Sequence, residues 1–468
     1  MFSSRLSLLR PTVLLLNRSL TTLKYSTNSN VITDMTQRGL VANLTSPEIS
    51  QHTETSTAIY CGVDPTAKSL HLGNLVTLMG LLHFQIRGHQ TIALVGGATG
   101  SIGDPSGRSS ERIPLSEDIL RVNVAGIEEQ IHRFFSNGNK YANRRGFSGT
   151  GVTPKVLNNY EWFSSMNALE FLGNVGRYAR VNTMLAKESV KSRIETTQGI
   201  SFTEFSYQLL QAYDFWYLHK YHGCRIQIGG SDQWGNITAG IDMINRKKDQ
   251  GESEEIEKAY GITIPLLLTS SGDKFGKSAG NAVWLNESMT SIFDFYQFFM
   301  KTADADVGKY LSMFTLLNQQ EIDDIIKSHQ ANPEKRIAQE KLAMETTELV
   351  HGREGVQKAK TASQVLFGGD LSTLTGREIL DAFKDDSSRL AKFERSKIES
   401  CGLDVLATLA NATQSKSEAQ KKIKAGGMYI NNVRVIDPRY KVTEADWIDN
   451  EVCVLRVGKS SYHLIQAV

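Results

Sequence analysis

The sequence predicts an α/β protein in which a Rossmann-like parallel-sheet domain with a helical insertion precedes a helical domain and a small α+β module. Three patterns predict this arrangement. A strand, a turn, a helix and a second strand follow one another between Ile59 and Val95, which is the opening of a parallel sheet. Helical periodicity runs from about 285 to 363. Short strands after a basic helix close the chain at 428–435 and 452–465.

Composition sets broad limits on the class of protein. The chain has 468 residues, 40% of them hydrophobic and 22% charged, which is typical of a soluble protein with several domains. Its apolar runs are shorter than the roughly 18–20 residues of a membrane span, so we expect no membrane insertion. The cysteines, Cys61, Cys224, Cys401 and Cys453, lie far apart without a Cys-x-x-Cys pair. This spacing argues against a zinc site and against a disulfide framework.

The first 30 residues have the composition of an import signal. They contain Arg5, Arg10, Arg18 and Lys24, and no acidic residue occurs before Asp34. This pattern is typical of a mitochondrial or plastid presequence, and a disordered tail of a cytoplasmic protein fits it less well. We therefore predict a presequence over 1–30 and a protein of the mitochondrial matrix. Removing the four cations changes the formal net charge from +2 to about −2, so nucleic-acid affinity would have to come from local basic patches.

The remaining elements follow in order along the chain. Strands at 59–63 and 91–95 flank a helix at 71–85, and amphipathic helices over about 114–191 are interpreted as an insertion. A further strand is predicted at 225–228. Glycine and charge interrupt the pattern after 365. We therefore predict a Rossmann-like domain over 31–298, a helical domain over 299–365, a linker over 366–401 and a small module over 402–468.

Two short segments carry cations or donors suited to phosphate. His71-Leu72-Gly73-Asn74 opens a predicted helix, where an imidazole and backbone N–H groups can face an anion. Lys274-Phe275-Gly276-Lys277-Ser278 presents two lysines three residues apart around a glycine, which can place two ammonium groups on a pyrophosphate. A lysine-bearing surface loop is usually only solvated, so neither segment is decisive alone.

Two further segments carry groups suited to an amino acid. The glycine-rich run 96–107 lacks the acidic residue about 20 positions on that a dinucleotide site would need, and Asp104 within it offers a carboxylate to an ammonium group. On the helix starting at Phe202, the residues Tyr207, Gln211 and Asp214 share one face. A buried carboxylate there needs a partner, and a phenol O–H is a suitable one.

These segments, in this order, resemble those of class I aminoacyl-tRNA synthetases, and specifically of tyrosyl-tRNA synthetases of the bacterial and organellar type. The segment His71-Leu72-Gly73-Asn74 corresponds to the first signature of this family, and it has Asn74 where the family often has a second histidine. The resemblance implies that tyrosine and ATP form tyrosyl-adenylate and that the tyrosyl group passes to tRNA(Tyr). It also implies Mg²⁺ entering with ATP, without a dedicated protein metal site, and a homodimer joined through the insertion.

The resemblance also assigns residues. It implies that the tyrosine substrate is bound by Tyr60, Asp104, Thr99, Tyr207, Gln211, Asp214, Gln227 and Gln233. It implies that ATP is bound by Gly62, Asp64, His71, Gly73, Asn74, Thr77, Gly230, Asp232, Lys274 and Lys277. It adds Thr66, Ser278, Arg108 and Arg112 to the catalytic set.

The chain ends in a segment suited to RNA. Residues 416–441 contain seven Lys or Arg against Glu418 and Asp437, which predicts a face that follows a phosphate backbone, although a solvated helix face would look similar. The segment resembles a small RNA-binding module shared with a ribosomal small-subunit protein. The candidate RNA contacts are Lys416, Lys421, Lys422, Lys424 and Arg434, and the helical domain 299–365 is expected to contact the anticodon part of the tRNA.

Two alternatives remain open from the sequence. One is a tryptophanyl-tRNA synthetase. Evidence against it comes from Tyr60, from Asp214 and from the Phe-Gly pair in the segment 274–278, here called the lysine loop. The other is a non-catalytic RNA-binding or intron-splicing protein on the same scaffold, which loss of the signature lysines or of Asp104 would have favoured. A splicing role beside catalysis is compatible with the sequence.

Overall fold

The computed structural model describes residues 30–108, 110–149, 151–197, 199–248, 257–278 and 281–468. The predicted presequence, apart from Asn30, lies outside the described residues. The helices of the first two thirds of the chain are α1 (Val31–Gln37), α2 (Ile49–His52), α3 (Leu72–Gln85), α4 (Glu117–Arg144), α5 (Tyr160–Phe163), α6 (Ala168–Asn174), α7 (Val181–Leu185), α8 (Glu188–Ile194), α9 (Phe202–His222) and α10 (Trp234–Lys248). Those that follow are α11 (Ile292–Met300), α12 (Asp304–Phe314), α13 (Gln319–Ala331), α14 (Ile337–Leu366), α15 (Gly376–Phe383), α16 (Arg395–Ser400), α17 (Leu403–Leu409) and α18 (Lys416–Lys424).

A six-stranded sheet forms the centre of the first domain. Its strands are β1 (Asn43–Leu44), β2 (Ala58–Val63), β3 (Gln90–Val95), β4 (Lys155–Asn158), β5 (Cys224–Gly230) and β6 (Tyr260–Ile264), in the order β1-β6-β5-β2-β3-β4. The short β1 is antiparallel to β6, and the other pairs are parallel. The chain builds outward from β2 to β4 on one side and then from β5 to β6 on the other. The order in which strands are added to the sheet therefore reverses between β2 and β5. In such sheets the ligand lies at this point, beyond the carboxyl ends of the strands.

The predicted β2, β3 and β5 are confirmed, but the insertion over 114–191 is not wholly helical. Residues 155–158 form β4, which pairs in parallel with β3 from Ile92 to Val95. The strand is four residues long and only partly buried, so its sequence carries little periodic signal, and its pairing with β3 defines it. The polypeptide after it, including Asn159 and Trp162, therefore enters the first domain at the carboxyl end of the sheet.

The helices α11–α14 form the predicted helical region, and they share a core with the sheet domain. Residues of α3, β2 and β5 belong to one buried apolar cluster with residues of α11, α12 and α14. The N-terminal helix α1 joins the same cluster through Val31, Ile32 and Met35. Its Asp34 accepts from Arg38 at 3.0 Å and from Arg87 at 2.8 Å. No helix among the described residues is long and apolar enough to cross a membrane.

The C-terminal module is larger than predicted. Its sheet contains β9 (Leu390–Phe393), β10 (Met428–Ile430), β11 (Val433–Val435), β12 (Val452–Val457) and β13 (Ser461–Ala467), in the order β11-β10-β12-β13-β9. The prediction of a linker over 366–401 is wrong, because α15, β9 and α16 lie within it and β9 pairs in parallel with β13. Phe383 and Leu390 pack with Ala362, Val365 and Tyr462 in a separate apolar cluster, which attaches the module to the end of α14.

A two-stranded ribbon, β7 (Lys277–Ser278) and β8 (Asn281–Ala282), lies between β6 and α11. It carries the second lysine of the lysine loop.

Candidate active site

The residues predicted to bind tyrosine converge at the point where the strand order reverses, between β2 and β5. Tyr60 lies on β2 and Gln227 on β5, while Tyr207, Gln211 and Asp214 lie on α9, which packs against β5 and the turn at 99–101. The ends of α9 are specified locally. The Ser201 hydroxyl accepts from the backbone N–H of Glu204 at 3.2 Å, and Gly223, at φ 62°, ends the helix in the left-handed region.

Asp214 is a buried carboxyl group with two donors. Its Oδ1 accepts from Trp162 Nε1 at 2.8 Å, and its Oδ2 accepts from Asn159 Nδ2 at 3.1 Å. Burial raises the pKa of Asp214 to about 8, and the two hydrogen bonds oppose that rise. The carboxyl group is therefore held in place by neutral N–H donors, without a cation.

Tyr60 brings a second polar group to the same place. It is 1% exposed, and its hydroxyl has no hydrogen-bond partner among the described residues. Burial and the charge of Asp214 raise the pKa of Tyr60 well above its ordinary value. A buried hydroxyl without a partner is costly, and a ligand hydroxyl between Tyr60 and Asp214 would satisfy it.

Asp64, which follows β2, joins two of the predicted tyrosine-binding residues. Its Oδ1 accepts from Thr99 Oγ1 at 2.7 Å and its Oδ2 from Tyr207 OH at 2.9 Å. Asn159 continues the chain of contacts, since its Nδ2 also donates to Thr99 Oγ1 at 3.0 Å. Burial raises the pKa of Asp64 to about 6, partly opposed by the hydrogen bond from Thr99. Asp64, which is predicted to bind ATP, thus also holds Thr99 and Tyr207, two residues predicted to bind tyrosine.

A second polar cluster lies around Asp104. Its Oδ2 accepts from Gln233 Nε2 at 2.7 Å, and Gln233 Oε1 accepts from Gln211 Nε2 at 3.2 Å. Asn236 Nδ2 donates to Gln211 Oε1 at 2.9 Å. Gln227, which is 3% exposed, has a side-chain oxygen without a partner in the described part of the chain. This cluster thus presents a carboxylate and amide oxygens, which suit an ammonium group.

The first signature caps α3 as predicted. His71 is the residue before the helix, and its backbone N–H donates to Asn74 Oδ1 at 3.0 Å. A side chain at Gly73 would place its Cβ 2.8 Å from His71 Cε1, so glycine allows the imidazole to lie over the helix N-terminus. Because Asn74 uses its oxygen in the cap, its Nδ2 amide is the group left to donate to a ligand.

The lysine loop is joined to the first signature. Gly276 has φ +85°, and a Cβ there would lie 2.9 Å from Leu72 Cβ. The backbone N–H of Leu72 donates to the carbonyl of Val283 at 3.0 Å. Phe275 is buried against Tyr310 and Phe314, with ring centroids 4.7 and 5.1 Å away, on α12. Lys274 is exposed, and the side chains of Lys277 and Ser278 lie outside the described residues.

The other predicted ATP residues surround this edge of the sheet. Thr66, Gly62 and Asp232 are exposed, and Thr77 and Gly230 are half-buried. Arg108 is exposed and Arg112 half-buried. Partial burial and the charge of Arg112 lower the pKa of Arg108. A phosphate between them would relieve their repulsion.

The chain resembles known proteins over most of its length. Residues 52–368 match the family model described as "tRNA synthetases class I (W and Y)", and residues 378–465 match one described as "Tyrosine--tRNA ligase SYY-like C-terminal domain". The chain is 41% identical over 454 residues to a mitochondrial tyrosine–tRNA ligase of Saccharomyces cerevisiae, covering 94% of this chain and 89% of the relative. It is 45% identical over 412 residues to a tyrosine–tRNA ligase of Roseiflexus castenholzii, covering 88% and 93%.

The chain belongs to the class I tyrosine–tRNA ligases. Among solved structures, it resembles a C-terminally truncated mitochondrial tyrosyl-tRNA synthetase of Aspergillus nidulans, with a TM-score of 0.66, 35% identity, and 72% of this chain and 94% of that chain covered. The ligase therefore activates tyrosine with ATP and transfers it to tRNA. The tryptophanyl and non-catalytic alternatives are not supported.

The ligase has site residues that the sequence did not predict. Asn159 and Trp162 hold Asp214, and Asn236 joins Gln211 to Gln233. Asn159 and Trp162 lie in the segment interpreted as helical insertion, which concealed them. Asn236 follows the predicted Asp232–Gln233 pair by one helical turn, a spacing that could have identified it.

In the module of the ligase, the cations predicted to contact RNA lie on α18 and β11. Lys416, Lys421, Lys422 and Lys424 are on α18, where Lys422 pairs with Glu418 at 2.7 Å, and Arg434 is exposed on β11.

Proposed function

We propose that Tyr60 and Asp214 bind the phenol of tyrosine, and that Tyr207, Gln211, Asp104, Gln227 and Gln233 surround its amino and carboxylate groups. The observation that carries this proposal is the unpartnered, buried Tyr60 hydroxyl beside the Asp214 carboxyl group. Thr99 acts as a positioning residue, since it donates to Asp64 and accepts from Asn159.

The same geometry supports a route for adenylate formation. A tyrosine carboxylate oxygen attacks the α-phosphorus of ATP, and pyrophosphate leaves. Negative charge that develops on the phosphate oxygens is stabilised by preorganised donors. We assign these to His71 and Asn74 at the start of α3, to the lysines of the loop with Ser278, and to Arg108 and Arg112. We further propose that the nucleotide is contacted by Gly62, Gly73, Gly230, Asp232, Thr66 and Thr77. Asp64, which the resemblance also assigns to ATP, would support the pocket through its contacts with Thr99 and Tyr207.

Mg²⁺ is proposed to enter with ATP. Phosphate oxygens are the hard ligands that this ion prefers. Across the ranges that the structure describes, no group of three or more His, Cys, Asp or Glu side chains is placed to hold a metal ion.

Pyrophosphate exchange tests the assignment of the phenol site. With the purified enzyme, tyrosine should support exchange far better than phenylalanine or tryptophan, because a site that bonds a hydroxyl leaves buried groups unpaired without it; tyrosyl-tRNA synthetases are themselves the standard example of this effect. The variant Tyr60→Phe should lower kcat/KM for tyrosine while leaving that for phenylalanine nearly unchanged. Equal losses for both amino acids would show that Tyr60 has only a packing role.

A homodimer is proposed through the insertion. Large apolar side chains are exposed on and next to it, with Ile113 at 89%, Leu169 at 81% and Phe202 at 76%. The insertion also lines a cavity of about 730 Å³, whose lining includes Phe163, Met166 and Phe171. Exposed apolar patches of this kind mark interfaces. Light scattering should give a dimer that Leu169→Asp weakens; a monomeric wild-type enzyme at micromolar concentration would refute the proposal.

We propose that the ligase works in the mitochondrial matrix, as the basic N-terminal composition and its relationship to the yeast mitochondrial enzyme suggest. A fusion of residues 1–30 to a reporter should enter mitochondria. Cytosolic retention of the intact fusion would contradict import through this segment.

The helical domain and the C-terminal module are proposed to bind tRNA(Tyr), the module through the cations of α18 and Arg434. The physical unit of the module begins near α15. Replacing Lys416, Lys421, Lys422 and Lys424 with Gln should therefore lower tRNA affinity and its salt dependence while tyrosine-dependent exchange stays normal. Unchanged tRNA affinity in that variant would show that the module does not bind tRNA through these lysines.

A further inference from the structure

A row of three side chains crosses the C-terminal sheet. Arg434 on β11 is paired with Tyr429 on β10, and Tyr429 is paired with Arg456 on β12. Directly paired residues of antiparallel strands project from the same face. The three side chains therefore form a continuous row, here called the Arg–Tyr–Arg row, on the face opposite Met428 and Ile430, which are buried in the core of the module.

The contacts within the row are close. The guanidinium carbon of Arg456 lies 3.7 Å from the centroid of the Tyr429 ring. Arg434 Nη2 donates to Tyr429 OH at 3.1 Å, and its guanidinium carbon is 5.5 Å from the same centroid. One aromatic ring thus organises two cations, and Arg434 remains exposed beside it.

The two arginines have no carboxylate partner in the described part of the chain. The pKa of the Tyr429 phenol lies below its ordinary value, because Arg434 donates to its oxygen and both guanidinium groups lie near it. Another arginine of the module provides a contrast. Arg395 also lies over an aromatic ring, 5.4 Å from the centroid of Trp447, but it is paired with Glu399 at 2.8 Å. Two adjacent cations without an anion favour an anionic ligand.

The row adjoins the basic helix. Gly426, two residues after α18, has φ +69°, and a Cβ there would lie 3.4 Å from Arg434 Cδ. Arg434 therefore lies against the end of the helix that carries Lys421 and Lys424. A ligand that spans both would present an extended series of negative charges together with a flat group for the ring and the guanidinium planes.

We propose that the Arg–Tyr–Arg row binds an unpaired nucleotide of RNA, with its base stacked on Tyr429 or Arg456 and its phosphate held by Arg434. Unpaired bases stack on aromatic rings and on guanidinium planes, whereas a regular duplex exposes only its backbone and shallow groove. This inference rests on the proposal that the module binds tRNA. It identifies the part of the surface that would recognise a base of the RNA in addition to the charge of its phosphate backbone.

The test uses the full-length enzyme, a tRNA(Tyr) transcript and a blunt RNA duplex, with dissociation constants measured over a series of KCl concentrations. Tyr429→Leu should weaken binding of the transcript about 5- to 100-fold, as expected for one stacked base, without changing the salt dependence. Tyr429→Phe keeps the ring and should stay within about threefold of wild type. Arg434→Gln should lower the slope of log affinity against log salt by about one. For the duplex, Tyr429→Leu should have no effect.

Controls separate the different ways in which the proposal could fail. Arg395→Gln removes a paired arginine from the same module and should leave tRNA affinity unchanged, and tyrosine-dependent exchange should be normal in each variant. If Tyr429→Leu binds the transcript like wild type, the base-stacking site is refuted, and a protein partner with an acidic surface becomes the better interpretation of the row. If the four-lysine variant of α18 also binds normally, the RNA role of the whole module falls as well. An equal loss for transcript and duplex would likewise overturn recognition of an unpaired base.

Discussion

Replacing Trp162 with Phe should separate recognition of the phenol from packing around it. Trp162 is 6% exposed and Asp214 3% exposed, and the indole N–H donates to the carboxyl group at 2.8 Å. Phenylalanine keeps an aromatic ring in the position where Trp162 stacks on Tyr217, with centroids 4.3 Å apart, but has no donor. The change therefore removes one hydrogen bond from a buried acceptor.

The expected loss follows from the kind of hydrogen bond removed. Above about pH 8, where Asp214 is ionised, a hydrogen bond to this charged group contributes about 1.5–3 kcal/mol, which corresponds to a fall of roughly 10- to 150-fold in kcat/KM for tyrosine. Since the hydrogen bonds from Asn159 and Trp162 oppose the rise in the pKa of Asp214, the variant should raise that pKa further above about 8. The acidic limb of the profile of kcat/KM against pH should therefore move to higher pH.

Pyrophosphate exchange between pH 6 and pH 9.5 measures both effects, with tyrosine and with high concentrations of phenylalanine. The loss should be confined to tyrosine, because phenylalanine makes no bond to Asp214. Equal losses for the two amino acids, or an unshifted acidic limb, would refute a role of Trp162 in holding the carboxyl group.

Three other changes test separate parts of the structure. Phe275→Ala should slow adenylate formation about 10-fold or more with little change in KM for tyrosine, because it frees the lysine loop from α12. Phe275→Met should retain the rate. A normal rate in Phe275→Ala would show that Phe275 does not anchor the loop. Asp34→Asn should destabilise the enzyme by about 3–5 kcal/mol near neutral pH, since it removes the buried carboxylate that accepts hydrogen bonds from Arg38 and Arg87. The lowered pKa of Asp34 means that this stabilisation is present above about pH 4 and is lost at lower pH, so urea titrations of wild type and variant should converge in acid. Asp214→Asn should raise the melting temperature of the enzyme, measured without substrate, more at pH 8.5 than at pH 5, and an equal change at both pH values would contradict the raised pKa.

The sequence predicted much of the pocket because its signals are local. Tyr207, Gln211 and Asp214 share a face by helical spacing alone, and His71 and Asn74 lie at a helix start that the sequence marks clearly. Local signals fail where long-range pairing decides the structure. The strand at 390–393 was missed because its partner in β13 lies about 70 residues later.

The same limit applies to the residues that hold Asp214. Asn159 follows a strand of four residues that only β3 defines, and Trp162 lies on a helix of one turn. Neither has a periodic pattern that points towards α9. Their contacts with Asp214 depend on the packing of β3, β4 and α9, which the separate segments of sequence do not specify.

The raised pKa values of Asp64 and Asp214 connect substrate recognition with stability. Both carboxyl groups gain protons more easily in the folded enzyme than in the unfolded chain, whose aspartates titrate near pH 4. Their contribution to stability is therefore complete below about pH 4 and declines as the pH rises through about 6 for Asp64 and about 8 for Asp214. Internal donors such as Thr99, Asn159 and Trp162 offset only part of the cost of burial. A tyrosine phenol would add a donor to Asp214, so substrate binding should favour the ionised form of Asp214. Binding should also recover stability of the enzyme in the pH range where burial of the carboxylate costs most. The Tyr60 hydroxyl, buried without a partner among the described residues, would gain one from the same phenol, so a single substrate group completes both polar residues of the specificity pocket.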